Sequence, residues 1–376
     1  MRSIGTIAIV ALIVASCSDE GSSPAGTAGS QSASSSASTG SMTTSGSGGA
    51  AGQDTSGGTQ TGSTTTTGST GGSGGTGGQG DGGSGGTGGS GLGGSGGAGG
   101  SGGASGTVRC GTTNVDVGGF TAAESLVVGP DGTIYSCSRN AVLGRFAPPY
   151  TRAENSWTTI AGAQVFGIAL DPKRKALYAG ARATNQVYRI PTDDPTKIEM
   201  LAATKGSADG INGVTLGEDG AVYYGDQKGG HIWRLNPDDK MTTQVTKTPV
   251  ANANGIAFAP DGTLWVLSYT SPGGVTRFKV DASHMEMTGT RDNFTIAGSG
   301  NADGIAFDKM GTAYVTAGGL WRVTPDKQSM KLDTNGGANV EFGAGALSCK
   351  LLLWAGGAVH SKMIDVEGAD VPWHRQ

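Results

Sequence analysis

The stretch Asn254-Gly255-Ile256-Ala257-Phe258-Ala259-Pro260-Asp261-Gly262-Thr263-Leu264-Trp265, continuing VLSYTSPGGVTRF to Phe278, decides the fold. It reads as an apolar strand, a tight turn with glycine supplying positive φ, and a second strand rich in β-branched and aromatic residues. A third strand carries Arg277. The same phrase recurs as ESLVVGPDGTIYSCSRNAVLGRF from Glu124, FGIALDPKRKALYAGARATNQVYRI from Phe166 and NGVTLGEDGAVYYGDQKGGHIWRL from Asn212. It returns as DGIAFDKMGTAYVTAGGLWRV from Asp303 and, most weakly, FGAGALSCKLLLWAGGAVHSKMIDV from Phe342. The starts lie 42, 46, 42, 49 and 39 residues apart. A repeat of that length, with several short strands per copy, is the period of a β-propeller blade. One blade cannot bury both faces, so the copies must stack around an axis. The expected fold is all-β, a six-bladed β-propeller over residues 107–376.

The phase of the fourth copy predicts strands at 255–259, 263–269, 274–280 and 294–297. Applied to the last copy it gives only three, near 343–347, 351–355 and 358–366. The segment Thr112 to Gly118 is therefore expected to supply the missing strand, closing the ring and covering an edge open to aggregation.

Ahead of the propeller the composition changes twice. Residues 1–17 carry Arg2 and an apolar run from Ile4 to Ala15, too short to span a bilayer but suited to an export signal. The run closes on Val14-Ala15-Ser16-Cys17, which resembles the lipobox of bacterial lipoproteins. That resemblance implies cleavage before Cys17 and lipidation of its thiol, and Ser18 implies sorting to the outer membrane or cell surface, with the periplasm as alternative. Residues 18–106 hold 35 of the 71 glycines and no Lys, Arg or aromatic residue. Such a segment cannot bury enough apolar surface to offset its chain entropy and is expected to be a disordered linker. As a Gly/Ser-type coil it would span about 50 Å. The propeller region itself carries 25 Lys and Arg against 26 Asp and Glu, without a basic cluster, which argues against nucleic acid as a partner. The membrane is expected to be met through the lipid only, and a monomer is expected.

Apart from Cys17 there are Cys110, Cys137 and Cys349. Cys110 precedes the closing strand and Cys349 sits in the inner hairpin of the same blade, so a Cys110–Cys349 disulfide is expected. The repeated arginines Arg145, Arg189, Arg234, Arg277 and Arg322 fall on third strands, far from the axis, where a structural or solvated role is expected.

In a propeller the residue opening each inner strand faces the mouth of the central channel. Around the ring those residues are Glu124, Phe166, Asn212, Asn254, Asp303 and Phe342. Four bear oxygen, and carboxylates with carboxamides converging on one axis suit Ca²⁺, Mg²⁺ or Mn²⁺ and are acceptable to Zn²⁺. Taken singly, Asn-Gly and Asp-Gly could also be turn residues before a strand; Glu124 shares the phase without a following glycine. His231, His284, His360 and His374 lack zinc-site spacing, and no Ser/His/Asp or Cys/His arrangement is legible.

These motifs resemble the family of senescence marker protein, gluconolactonase and luciferin-regenerating enzyme. The resemblance runs from about 120 to 366 and is closest at Asn254-Gly255-Ile256-Ala257 through Pro260-Asp261-Gly262 and at Asp303-Gly304-Ile305-Ala306. It implies a six-bladed propeller with one divalent metal held by Glu124, Asn254 and Asp303, with Asn212 as a further metal or substrate ligand. It also implies Asp303 as catalytic base. Glu124 departs from the family in preceding Ser125-Leu126-Val127, Asn212 in preceding Gly213, and no counterpart of the family's substrate-binding arginine is assignable. The function implied is an exported, lipid-anchored, metal-dependent hydrolase of lactones or related esters acting on a small molecule through metal-activated water. The alternative is a non-catalytic surface propeller that binds a ligand or partner. A lyase resembling the streptogramin lyases would need a channel histidine, and none of the four opens an inner strand.

Overall fold

The structure is a computed structural model that describes residues 110–120, 124–203 and 210–369. The export-type segment, Cys17, the linker and His374 lie outside the described residues. Six four-stranded antiparallel sheets form the blades of a β-propeller. Their inner strands are Ser125–Val128, Val165–Asp171, Ile211–Leu216, Ala253–Phe258, Ala302–Phe307 and Asn339–Phe342. Each adjoins the next, and the sixth returns to the first.

In blades 1 and 4 the hairpin linking the first two strands is built by an Asp-Gly. Asp261 accepts the backbone N–H of Thr263 at 2.9 Å and its hydroxyl at 2.9 Å, while Gly262 takes φ +79°. Asp131 does the same for Thr133, with Gly132 at φ +85°. An aspartate that bonds two residues ahead and a glycine free to go left-handed set the turn, and in blade 1 the Tyr150 hydroxyl also donates to the Gly132 carbonyl at 2.8 Å.

Blades are joined by an aromatic relay. Tyr223 on the second strand of blade 3 meets Phe258, which ends the inner strand of blade 4, with ring centroids 5.0 Å apart. Trp265 of blade 4 meets Phe307 of blade 5 at 5.3 Å, and Tyr314 of blade 5 meets Phe342 of blade 6 at 5.4 Å. All three pairs are edge-on and buried, a geometry worth about 0.5–1.5 kcal/mol each beyond the area they bury.

This relay corrects one expectation. Phe342 ends its inner strand, as Phe258 and Phe307 do, and does not open it. The opening residue of blade 6 is Asn339. The turn after Phe342 is longer than in the other blades and contains a 3-10 helix over Gly345–Leu347 where the sequence phase had placed a strand. The other strand ends differ by one to four residues: the outer strand of blade 4 is Asp292–Thr295, the third strand of blade 6 stops at Met363 and the closing strand starts at Asp116.

The outermost strand of blade 6, Asp116–Gly118, comes from the amino-terminal side and pairs antiparallel with Ala358–Met363, Val117 opposite Val359. Cys110 and Cys349 are joined by a disulfide, and Cys137 is a buried thiol. Beside the disulfide the fully buried Lys350 donates to the carbonyls of Gly111, at 2.7 Å, and Thr113. Third-strand arginines pair with acids in their own blade: Arg145 with Glu154, Arg189 with Glu199, Arg234 with Asp219 and Arg277 with Asp292.

Candidate functional site

The inner strands of blades 2 to 5 share an irregularity at the end nearest the mouth. Register slips between Val165 and Gly167, Ile211 and Val214, Ala253 and Ile256, and Ala302 and Ile305. Each slip is a β-bulge, which leaves a residue out of the ladder and re-aims its side chain. Phe166, Asn212, Asn254 and Asp303 occupy the bulges. They are therefore not turn residues.

The glycine that follows each bulged residue serves the neighbouring blade. A Cβ on Gly167 would stand 2.2 Å from the Asn212 carbonyl oxygen, one on Gly213 2.1 Å from that of Asn254, and one on Gly255 2.0 Å from that of Asp303. On Gly304 it would meet the Asn339 Cα at 2.7 Å. The inner strands approach so closely here that only glycine fits. The chain of contacts also identifies Asn339 as the sixth member of the set.

A funnel open to solvent leads to these residues. Its volume is about 530 Å³, and its wall includes Glu124, Phe166, Asn212, Asn254 and Asp303. Glu124 is 6 % exposed and Asn254 3 %. Burial pushes the Asp303 carboxyl up to about 7, the charge of Glu124 pushes the same way, and a hydrogen bond from Asn254 and the positive charge of Arg139 oppose them. Burial also raises Glu124, against the attraction of Arg139 and Arg182. Asn212 donates to Gln227 at 3.3 Å. The structure thus brings together all four residues expected to bind metal.

It adds others that the sequence reading missed. Arg139 is ion-paired with Glu124, its own side chain 65 % exposed. Its guanidinium carbon lies 5.3 Å from the centre of the Phe166 ring, and that of Arg182 lies 4.7 Å from it. Lys228 and Tyr269 complete the rim. Arg139, Arg182 and Lys228 stand 15 or 16 residues after the residue that opens their own inner strand, where the second strand ends at the same face. That shared phase is the signal that could have found them. None of His231, His284 and His360 lines the funnel.

Among the described residues no three His, Cys, Asp or Glu side chains gather in a metal-binding group. Glu124 and Asp303 with Asn254 and Asn212 make a mixed set of carboxylate and carboxamide oxygens. The charge of Glu124 raises the proton affinity of Asp303, and a cation between two such carboxylates would favour their charged forms. That donor chemistry fits a hard divalent ion.

Six blades, four of them bulged where their inner strands open on the funnel, define the class of propeller. The sequence model of the SMP-30/Gluconolactonase/LRE-like region matches residues 147–346, and the chain belongs to that family. Glu124 precedes the matched stretch, so its place in the site rests on geometry alone. A luciferin-regenerating enzyme superimposes with TM-score 0.55 at 16 % identity, covering 68 % of this chain and 97 % of that one. Regucalcin from Agrobacterium tumefaciens, described as a calcium-binding protein, gives 0.54 at 17 % identity over 69 % and 98 %. A gluconolactonase from Xanthomonas campestris gives 0.52 at 17 % over 68 % and 90 %. These likenesses define the fold. No curated protein sequence matches the chain.

Proposed function

We propose that this protein is a divalent-metal-dependent hydrolase of lactones or related esters, exported and held at the membrane by a lipid on Cys17. The observation that carries the reading is Asp303: a carboxyl held near neutrality at the base of an open funnel, facing Glu124 and hydrogen-bonded by Asn254. Membership of a family that includes gluconolactonases supports the substrate class, and the oxygen donors support Ca²⁺, Mg²⁺ or Mn²⁺ before Zn²⁺.

Glu124, Asn254 and Asp303 would hold the ion, with Asn212 beside them. Bound there, a divalent cation polarises an ester carbonyl and makes water more acidic. Asp303 accepts the proton of the attacking water as its oxygen adds to the lactone carbonyl, and returns it to the ring oxygen as the C–O bond breaks. A carboxylate held in reach of the attacking water and the ring oxygen serves both transfers. Asn254 fixes the carboxylate for that exchange. Asn212, steadied by Gln227, is set to orient substrate hydroxyls, and Phe166 gives the funnel an apolar wall.

The test is release of bound metal by chelator, measured beside hydrolysis of gluconolactone and aryl esters. Asp303→Ala should abolish both metal binding and turnover; retained activity would reject the assignment. Metal bound without turnover on any ester would favour a ligand-binding module, a reading to which the Arg139–Glu124 pair lends weight because it already satisfies one carboxylate. For the anchor, Cys17→Ser should move the protein from the detergent phase to the aqueous phase on Triton X-114 partition. An unchanged distribution would remove the lipid.

A further inference from the structure

The axis channel continues below the funnel. Val127, Ala257, Ile305 and Glu341 face the space around Asn254 and Asp303 and also a second depression, at the far end of the inner strands. The wall of that depression is apolar. It takes Val127 and Val128, both half-buried, from blade 1 and Leu170 from blade 2. Phe258, Phe307 and Phe342, which end the inner strands of blades 4, 5 and 6, complete it. Among the described residues that line it only Glu341 is charged. Apolar surface left open to water at such a place gains from being covered.

The carboxyl-terminal segment is led to this opening. The fourth strand of blade 6 being Asp116–Gly118, the chain after Met363 turns back to blade 5. Ile364 and Val366 pack against the cluster that holds Tyr314 and Phe342. Gly368 then forms an antiparallel bridge with Asp308, Ala369 donates its N–H to the Phe307 carbonyl at 2.7 Å, and Glu367 is ion-paired with Lys309. The inner strand of blade 5 runs from Ala302 at the mouth to Phe307 at the lower end. A segment antiparallel to it therefore heads toward the axis, and the buried Ala369 is already part of the wall of the depression.

The sequence goes on as Asp370-Val371-Pro372-Trp373, which lie outside the described residues. Pro372 biases Val371 toward extended backbone. Four extended residues reach about 13 Å, more than the roughly 10 Å between packed sheets. An indole that finds an apolar surface buries about 150–250 Å².

We propose that Val371, Pro372 and Trp373 cap the lower opening of the channel, with Trp373 seated on the ring of Val128, Leu170, Phe258, Phe307 and Phe342. The propeller is then a cup, entered through the funnel alone, and solvent meets Asp303 from one side. This goes beyond the lactonase reading and holds equally for a ligand-binding module.

In the full chain, the fluorescence lost on Trp373→Phe is that of Trp373, and acrylamide should quench it about threefold more slowly than N-acetyltryptophanamide. A chain ending at Ala369 should uncover the opening, raising the fluorescence of the dye ANS about threefold at unchanged far-UV circular dichroism. Trp373→Ser in the full chain should reproduce most of that rise, and carries the test where the shortened chain does not fold. Val128→Lys, added to either variant, should remove the extra dye and so place it at the lower opening. Trp373 quenched as fast as the free compound would overturn the cap. So would dye binding that neither variant raises, or extra dye that Val128→Lys leaves in place, because the segment would then cover another face.

Discussion

Asp303→Asn should make the metal-free protein more stable at pH 8 while destroying its metal site. The Asp303 carboxyl is pushed from 3.8 to about 7, first by burial and then by the charge of Glu124. Between those values the folded protein holds a proton that the unfolded chain has released. Stability therefore falls as pH rises through that window, is unpenalised below about pH 4, and carries the full penalty above pH 7. At about 1.4 kcal/mol per pH unit, the displacement sets an upper bound of about 4 kcal/mol. Asp303 keeps some contact with solvent and Arg139 can screen it, so about 1–2 kcal/mol is expected. Asparagine has nearly the same shape and no charge to bury. Urea unfolding in chelator at pH 4.5, 6 and 8 should show wild type and variant alike at the first value, with the variant ahead by 1–2 kcal/mol at the last. Added metal should reverse the order at pH 8, because it stabilises only the protein that binds it. If the variant is no more stable at pH 8, or if its advantage does not change with pH, Asp303 is not a strained carboxylate and the case for its role collapses.

Three further outcomes follow from the same structure. Gly255→Ala puts a methyl group 2.0 Å from the Asp303 carbonyl oxygen; it should cost about 2 kcal/mol or more in stability and displace Asp303, lowering metal affinity measured by titration. Metal affinity should weaken steeply as pH falls below about 7, because the Asp303 proton competes with the ion; a flat profile between pH 6 and 8 would oppose the ligand assignment. Opening the Cys110–Cys349 bond, which joins residues 239 apart, should cost about 2–4 kcal/mol and lower Tm under reducing conditions. Cys110→Ser should reproduce that loss, and added reductant should then have no further effect.

How much of this was readable beforehand depended on the kind of residue. Periodicity locates strands, so Glu124, Asn212, Asn254 and Asp303 could be put at one mouth from their spacing. It failed in the last copy, because Phe342-Gly343 imitates the opening of Phe166-Gly167 while belonging to the far end of the strand. The Tyr314–Phe342 contact and the approach of Gly304 to Asn339 reveal its phase. Arg139 and Arg182 escaped for a different reason. They lie past the ends of strands, where the shared offset of 15 or 16 residues puts them at the mouth but does not say which way their side chains turn, and Phe166 gives no sign in sequence that it collects both.

The dipeptides at the mouth divide their work between fold and chemistry. Packing demands the second residue: Gly167, Gly213, Gly255 and Gly304 are needed because the next blade's backbone leaves no room for a Cβ. The bulge then turns the first residue toward the axis without consulting its side chain. Phenylalanine, asparagine, asparagine and aspartate all occupy that place in one ring. A position whose backbone is set by its neighbour can change its side chain without disturbing the blade. The propeller can therefore exchange the groups at these four places while keeping its fold, so that folding alone does not require Asn254 and Asp303 there.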